Sequence, residues 1–427
     1  MANSKRGSWA LIVVPNRSFV ADVMTELRQL SALVGAYIDL LTSASTFGTH
    51  MGSQGKAVRV VAAPNLLDIL SRYDVSVSLA GLRMVLLENL ELLDPAYELS
   101  IALLLHATQH QPTRYIGLSS SLNDPADLGA WLNVDPFAFH SFRPSDRDQS
   151  LTLSISTFTI PQSGALFKAM AKPAHAAIRG AFGEAAIVFV PSRNQCRSVA
   201  LDLITQCALE METTKGYLPE AFSSEELEIF LARLQDRSLV DFITRGIAFY
   251  HPGIPKQDRT LILELYAEGV VRVLIVPHDV CWSLPVRAAT VVVMGTQYLH
   301  VSADGEERQL RDYPLEELVR MQGRAVRHND TGHFHLFCQA EAKDTFTRFL
   351  TNGLPLESKL LDTEFLRNWY QELRTKDKIK TKQDMVDLLS FTFLARRLES
   401  NPAYYDTTES TLSEKLSRIV DRLDSVG

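Results

Sequence analysis

Residues 9–33 read WALIVVPNRSFVADVMTELRQLSAL. The apolar run from Trp9 to Val14 stops at Pro15-Asn16-Arg17, and apolar residues then recur at Phe19, Val23, Leu27, Leu30 and Leu33. An unbroken apolar run fits a strand buried on both faces, whereas three-and-four spacing fits a helix lying against it. The unit repeats. Residues 58–62 (VRVVA) are closed by Pro64 and followed by a helical pattern around 66–70. Residues 82–87 (LRMVLL) and 115–118 (YIGL) supply two further strands. Strand and helix in this rhythm predict a parallel sheet covered on both sides.

After residues 140–144 (HSFRP) the composition turns rich in Ser, Thr, Asp and Gln, which reads as a connection between lobes. A second alternating series opens with 186–190 (AIVFV) and a helix over 194–210. It continues through strands at 247–250, 271–276, 290–294 and 334–338. From about Thr351 strands vanish. Helical periodicity returns in residues 382–398, with Met385, Leu388, Leu389, Phe393 and Leu394 on one side. The expectation is an α/β protein with lobes at 1–143 and 144–350 and a small helical domain at 351–427.

Forty-three basic residues against fifty acidic ones leave a net charge of −7. Proteins that grip phosphate backbones usually present a basic surface, so weak or no direct RNA binding is expected. No apolar run approaches the ~20 residues that span a bilayer, and the N-terminus lacks a secretory pattern, so an intracellular chain without membrane contact is expected. Cys196, Cys207, Cys281 and Cys338 show no paired spacing. His333 and His335 lie near Cys338, yet three ligands leave a zinc site incomplete. No metal and no cofactor are expected.

Several motifs follow in a fixed order: IGLSSSLNDPADLGAWLNV (116–134), AIVFVPSRNQCRSVALDLIT (186–205), GIAFYHPGIPKQDR (246–259), VLIVPHDVCW (273–282), VVVMGTQYL (291–299) and QGRAVRH (322–328). Together they resemble the large two-cassette DExH-box RNA helicases of superfamily 2, in particular the C-terminal cassette of the spliceosomal members. A related two-cassette helicase of the activating signal cointegrator complex fits the motifs as well. The resemblance covers nearly the whole chain. It implies two tandem RecA-like lobes, the first lacking its N-terminal strand and phosphate loop. FTFLARRLESNPAYY (391–405) then looks like the family's winged-helix domain.

The family's ATPase needs a G-x-x-x-x-G-K-[ST] loop, and this sequence contains none. Gly52-Ser53-Gln54-Gly55-Lys56-Ala57 lacks both the spacing and the hydroxyl. At the D-E-x-H positions stand Glu88, Asn89, Leu90 and Glu91. A neutral Asn89 cannot act as a general base. Arg324 and Arg327 match the arginines that steady the transferring phosphoryl group, and the resemblance leaves them as nucleotide-binding remnants. Arg320 stands where the family has glutamine, Ser283 where it has glycine and Pro285 where it has asparagine. Without a ligand, the two arginines are expected to pair with acids such as Glu88 or Glu91. Arg17, Asn65, Ser192 and Arg193 match loops that touch the RNA backbone, with a purely structural role favoured. Gly117-Leu118-Ser119-Ser120-Ser121 is not a nucleophile elbow.

The expected function is a catalytically inactive cassette serving as a protein-interaction and regulatory platform in pre-mRNA splicing. The resemblance implies a nuclear setting, with spliceosomal proteins and an active sister helicase cassette as partners. Two alternatives stand beside it: an active RNA helicase whose phosphate loop lies outside this chain, and a pseudo-helicase that binds RNA.

Overall fold

A computed structural model describes residues 8–42, 56–72, 79, 81–146, 150–161, 163–180, 183–211, 216–222, 224–302, 307–326, 331–362, 364–407 and 409–425. The chain divides into two compact units, residues 1–143 with 352–427, and residues 144–351.

The first unit is built on β1 (Trp9–Val14), β2 (Ala36–Leu40), β3 (Lys56–Ala62), β4 (Leu82–Leu87) and β5 (Arg114–Gly117), in the order β2-β3-β1-β4-β5. Every neighbouring pair is parallel. The central β1 is almost wholly buried, as its unbroken apolar run requires, whereas β5 closes the row with both of its end residues exposed.

The helix Pro95–Thr108 is apolar nearly all round, and residues 96–102 are all buried. A helix without a polar face must be covered on more than one side. Here the cover comes from the C-terminal residues: Ala96, Leu99 and Leu67 share a core with Leu366, Trp369, Tyr370, Leu389, Leu394 and Leu398. The chain returns to this unit at Gly353, whose φ of +100° suits glycine. Leu354 then pairs with Leu122, donating to the Ser121 carbonyl at 2.8 Å.

The stretch 382–398 is not one helix. It breaks into Lys382–Leu389 and Phe393–Ser400, with Thr392 capping the second through a hydrogen bond from the Ala395 N–H. The break exposes a helix N-terminus, and the carboxylate of Glu98 fills it. Glu98 is fully buried and accepts from the Leu394 N–H at 2.8 Å and the Ser358 hydroxyl at 2.7 Å. Beside it, Arg397 is held by Glu357, Asp124 and Asp127. Trp131 Nε1–H donates to the Phe391 carbonyl at 2.7 Å, and Trp369 Nε1–H to the Ser71 hydroxyl at 2.9 Å.

The second unit holds a six-stranded sheet in the order β6-β13-β10-β7-β9-β8. Its strands are β6 (Leu151–Phe158), β7 (Ala186–Val190), β8 (Ile247–Phe249), β9 (Val273–Pro277), β10 (Thr290–Met294) and β13 (Gly332–Gln339), paired in parallel throughout. Between β10 and β13, β11 (Gln297–Val301) and β12 (Arg308–Asp312) form a separate antiparallel pair. β6 corrects the sequence expectation, since part of the supposed connection is a strand, followed by the helix Gly164–Gly180. Both sheets are RecA-like in being parallel with helical crossovers. Among the described residues no helix is long and apolar enough to cross a membrane.

Burial raises the Glu98 carboxyl from 4.5 to about 7, against the pull of its hydrogen-bond donors. A carboxyl whose folded pKa is raised contributes stability that is fully present below its unfolded value and lost as pH rises through the folded one. This shift corresponds to roughly 3 kcal/mol. Chemical denaturation should therefore show wild-type stability falling between about pH 4.5 and 7. Glu98→Gln should flatten that fall; an unchanged profile in the variant would refute the assignment.

Candidate functional site

Because the five strands of the first unit run parallel, their C-terminal ends share one edge of the sheet. From β1 the chain moves outward on one side to β2 and β3, then to the other side with β4 and β5. Ligands of open α/β sheets bind at such a reversal, here between β1 and β4. The residues that follow these two strands are Asn16-Arg17 and Glu88-Asn89-Leu90-Glu91.

The reversal is closed by protein. The Glu88 N–H donates to the Val13 carbonyl at 2.9 Å. The buried Tyr97 hydroxyl lies 2.8 Å from the Glu88 carbonyl and 3.1 Å from that of Val13, so its single hydrogen is shared between the two strand ends. Burial, and then the charges of Glu26 and Glu91, push the Glu88 carboxyl above its ordinary value. That environment works against holding a dense anion nearby.

Asn89 has φ 52° and ψ 54°, in the left-handed region that asparagine tolerates better than most residues. Its amide donates to Glu91 Oε1 at 3.1 Å. Leu90 turns inward and is fully buried. Gly117 makes room for it: a Cβ there would meet Leu90 Cδ1 at 2.6 Å and Leu132 Cδ1 at 2.9 Å. Glu91 is 5% exposed and accepts from the Ser120 N–H at 3.1 Å and the Ser120 hydroxyl at 2.9 Å. A carboxylate surrounded by donors is an anchor rather than an acid or base. It ties the loop after β4 to the serine run after β5. In that run Ser121 also works structurally, donating to the Phe142 carbonyl at 2.7 Å.

The structure brings Arg17 and Asn65 together. The guanidinium donates through Nε at 3.2 Å and Nη2 at 2.9 Å to Asn65 Oδ1, on an exposed surface. Asn16 caps the helix Arg17–Val34 by accepting from the Ser18 N–H at 3.0 Å. Both loops are thus helix starts after parallel strands, with side chains already engaged locally.

In the second unit, Ser192 and Arg193 are exposed at the start of the helix Arg193–Met211. Arg193 neighbours His251, whose pKa is lowered by burial and then by Arg193 itself. His251 Nδ1 accepts from the Gly253 N–H at 3.1 Å. Arg324 is half-buried and donates to the Cys281 carbonyl at 3.1 Å. Arg327 lies outside the described residues, as does most of the 52–57 segment. Within their own units, Glu91 is held by Ser120 and Asn89, and Arg324 by the Cys281 carbonyl. His333 and His335 share one face of β13, while Cys338 falls on the other by strand alternation. Among the described residues no group of three or more candidate ligands could hold a metal ion.

Four functional-looking residues escaped sequence reasoning: Tyr97, Glu98, Arg397 and His278. His278 stacks on Tyr313, with ring centroids 4.5 Å apart, and lies 2.6 Å from Glu317. The partners of the first three lie far away in sequence, so no local pattern marks them.

Residues 358–425 match a family model described as a Winged Helix-turn-helix domain. The U5 small nuclear ribonucleoprotein 200 kDa helicase of Drosophila melanogaster is 31% identical over 88% of this chain and 18% of its own length. Its Caenorhabditis elegans counterpart is 30% identical over 96% of this chain and 20% of its own. The pre-mRNA-splicing factor brr2 of Schizosaccharomyces pombe is 33% identical over 77% of this chain and 15% of its own. Two RecA-like lobes with this ordered set of strand-end motifs and a winged helix define a cassette of the DExH-box helicase class. Within that class the chain belongs to the family of the U5 small nuclear ribonucleoprotein 200 kDa helicases. It spans about a fifth or less of those relatives' length.

The left-handed backbone at Asn89 gives the rewritten motif a measurable signature. Asn89→Glu should lower stability by about 1–2 kcal/mol through backbone strain and repulsion from Glu88 and Glu91. Asn89→Gly should cost less, losing only the amide bond. Equal losses in urea denaturation would show that Asn89 is not held in this conformation.

Proposed function

We propose that this chain is a catalytically inactive helicase cassette acting as a protein-interaction and regulatory platform in pre-mRNA splicing. The observation that carries the reading is the internal use of the rewritten motif. Asn89 cannot accept a proton from water, Leu90 fills the core, and Glu91 is bound by Ser120 and Asn89. A hydrolytic site needs a carboxylate free to hold magnesium and another free to orient water. Glu88 alone remains at the strand end, and burial favours its protonated form.

The names of the relatives support a splicing role. They also support spliceosomal partners in a nuclear setting; an active sister cassette as partner is carried over from the family resemblance alone. On this reading Arg324 serves the packing of the second lobe, and the domain division at 143 and 350 follows the helicase plan. Arg17, Asn65, Ser192 and Arg193 remain the residues for any RNA-backbone contact. Their local engagement and the net charge of −7 favour weak binding or none.

The test is steady-state ATP hydrolysis by the purified chain, with and without single-stranded RNA. No RNA-stimulated turnover is expected, and Glu88→Asp with Asn89→Glu should not create it. RNA-stimulated turnover that disappears in Arg324→Ala would overturn the platform reading in favour of an active helicase.

A further inference from the structure

Between β10 and β13 the chain leaves the main sheet of the second unit to form the ribbon of β11 and β12. A two-stranded ribbon is marginal by itself. The base of this one is fixed, because Tyr298 and Tyr313 pack on His278 with ring centroids 4.6 and 4.5 Å away. Its outer strand is not covered. Every residue of β12 is exposed, and among the described residues no strand but β11 lies beside it.

The hydrogen bonds at the two ends of the ribbon fix which backbone groups of β12 are in use. The Ser302 N–H donates to the Glu307 carbonyl at 2.9 Å, and the Tyr313 N–H to the Thr296 carbonyl at 2.7 Å. Hydrogen-bonded positions alternate along an antiparallel pair, so Gln309 and Arg311 spend their backbone groups on β11. Arg308, Leu310 and Asp312 direct theirs outward. The side chains of these three share a face with Gln297, Leu299 and Val301, their cross-strand neighbours. The centre of that face is apolar and open to solvent: Leu299 is 57% exposed, Val301 47% and Leu310 50%.

The order Arg308-Gln309-Leu310-Arg311-Asp312 complements itself when reversed about Leu310. A second β12 laid antiparallel on that centre sets Leu310 against Leu310 and each Arg308 against an Asp312. These are the outward-facing positions, so the side-chain register and the backbone register agree. Centring on Arg308 or on Asp312 would set like charges face to face, which is destabilising. Among the described residues Arg308 has no ion-pair partner, and Asp312 accepts only from the neutral Gln297 amide, at 3.0 Å. The outer edge of β11 offers no such match, since its outward residues beside Leu299 are the uncharged Gln297 and Val301.

We propose that β12 is a self-association edge, joining two copies of this chain about a two-fold axis at Leu310 into one continuous antiparallel sheet. Leu299 and Leu310 of both copies form an unbroken row across it, and the Arg308–Asp312 pairs close it on either side. The paired strands are short, so the dimer is weak and forms as concentration rises. Self-association goes beyond the platform reading and does not depend on it.

Sedimentation velocity of the full chain at increasing concentration should show a monomer–dimer equilibrium. Hydrogen exchange over residues 308–312 should be slower in the concentrated sample than in the dilute one. Arg308→Asp and Asp312→Arg each set like charges face to face, and each should weaken dimerisation at least tenfold. Mixed together, the two variants should form a heterodimer, because every facing pair is then opposite in charge. Leu310→Pro removes an outward N–H while sparing the pairing with β11, and should abolish the dimer. Circular dichroism confirms that the variants are folded; if one is not, the wild-type measurements decide alone.

A chain that stays monomeric at every concentration overturns the proposal, as does a dimer whose protection falls outside β12. So does a wild-type dimer without a heterodimer from the mixed variants. Exchange over 308–312 that slows in a monomeric chain only when single-stranded RNA is added would assign the edge to nucleic acid instead.

Discussion

The first unit depends on one buried carboxylate. Glu98 projects from the helix Pro95–Thr108 into the N-terminus of Phe393–Ser400, almost three hundred residues later, where unpaired N–H groups await an acceptor. A buried carboxylate is costly unless its oxygens are satisfied. Leu394, Phe393 and Ser358 supply the donors. The same contact explains why the C-terminal helices are not a detachable appendage. The helix that carries Glu98 has no polar face, so those helices must cover it, and the carboxylate fixes how they do so. Arg397, 7% exposed, adds a second fixed point. It is bound to Glu357 within the C-terminal segment and to Asp124 and Asp127 from the lobe. The Glu357 carboxyl, which burial alone would push up, is brought below its ordinary value by Arg397, Asn401 and Tyr405.

Much of this was legible in the sequence, and the exceptions share a cause. Strands such as β1, β7 and β10 announce themselves because burial on both faces demands a nearly unbroken apolar run. β6 does not. LTLSISTF alternates Leu151, Leu153 and Ile155 with Thr and Ser at the border of its sheet, so its half-polar composition reads as linker. The period of two was present and outweighed by composition. The break at Ser390 to Thr392 was invisible for another reason. Apolar spacing continues through it, and the new helix start is held by Thr392 together with a tertiary partner, Glu98, which no window along the chain contains.

The candidate site divides in the same way. Glu88, Asn89, Leu90 and Glu91 could be read as departures from a motif, because losing a carboxylate is a statement about residue type. What each substitute does instead was beyond sequence, since it needs Gly117, Ser120 and the left-handed turn at Asn89 to be in place. The loop residues Arg17 and Asn65 were grouped only through the family resemblance of their loops. Their direct hydrogen bonding was not legible.

The motif positions can vary without disturbing the fold because motif and sheet core occupy different stretches of the same strand-loop units. The apolar ladder of β1 and β4 runs up to Val14 and Leu87, and the motif positions begin one step beyond it, at the strand ends. Substitution there changes what the strand ends present while the sheet below is untouched. Positions that do not carry an accessible carboxylate can take up structural work. Glu91 and Leu90 have done so, one joining two strand-end loops and the other filling the space left by Gly117. A free carboxylate at either position could be introduced only by breaking a contact the fold uses.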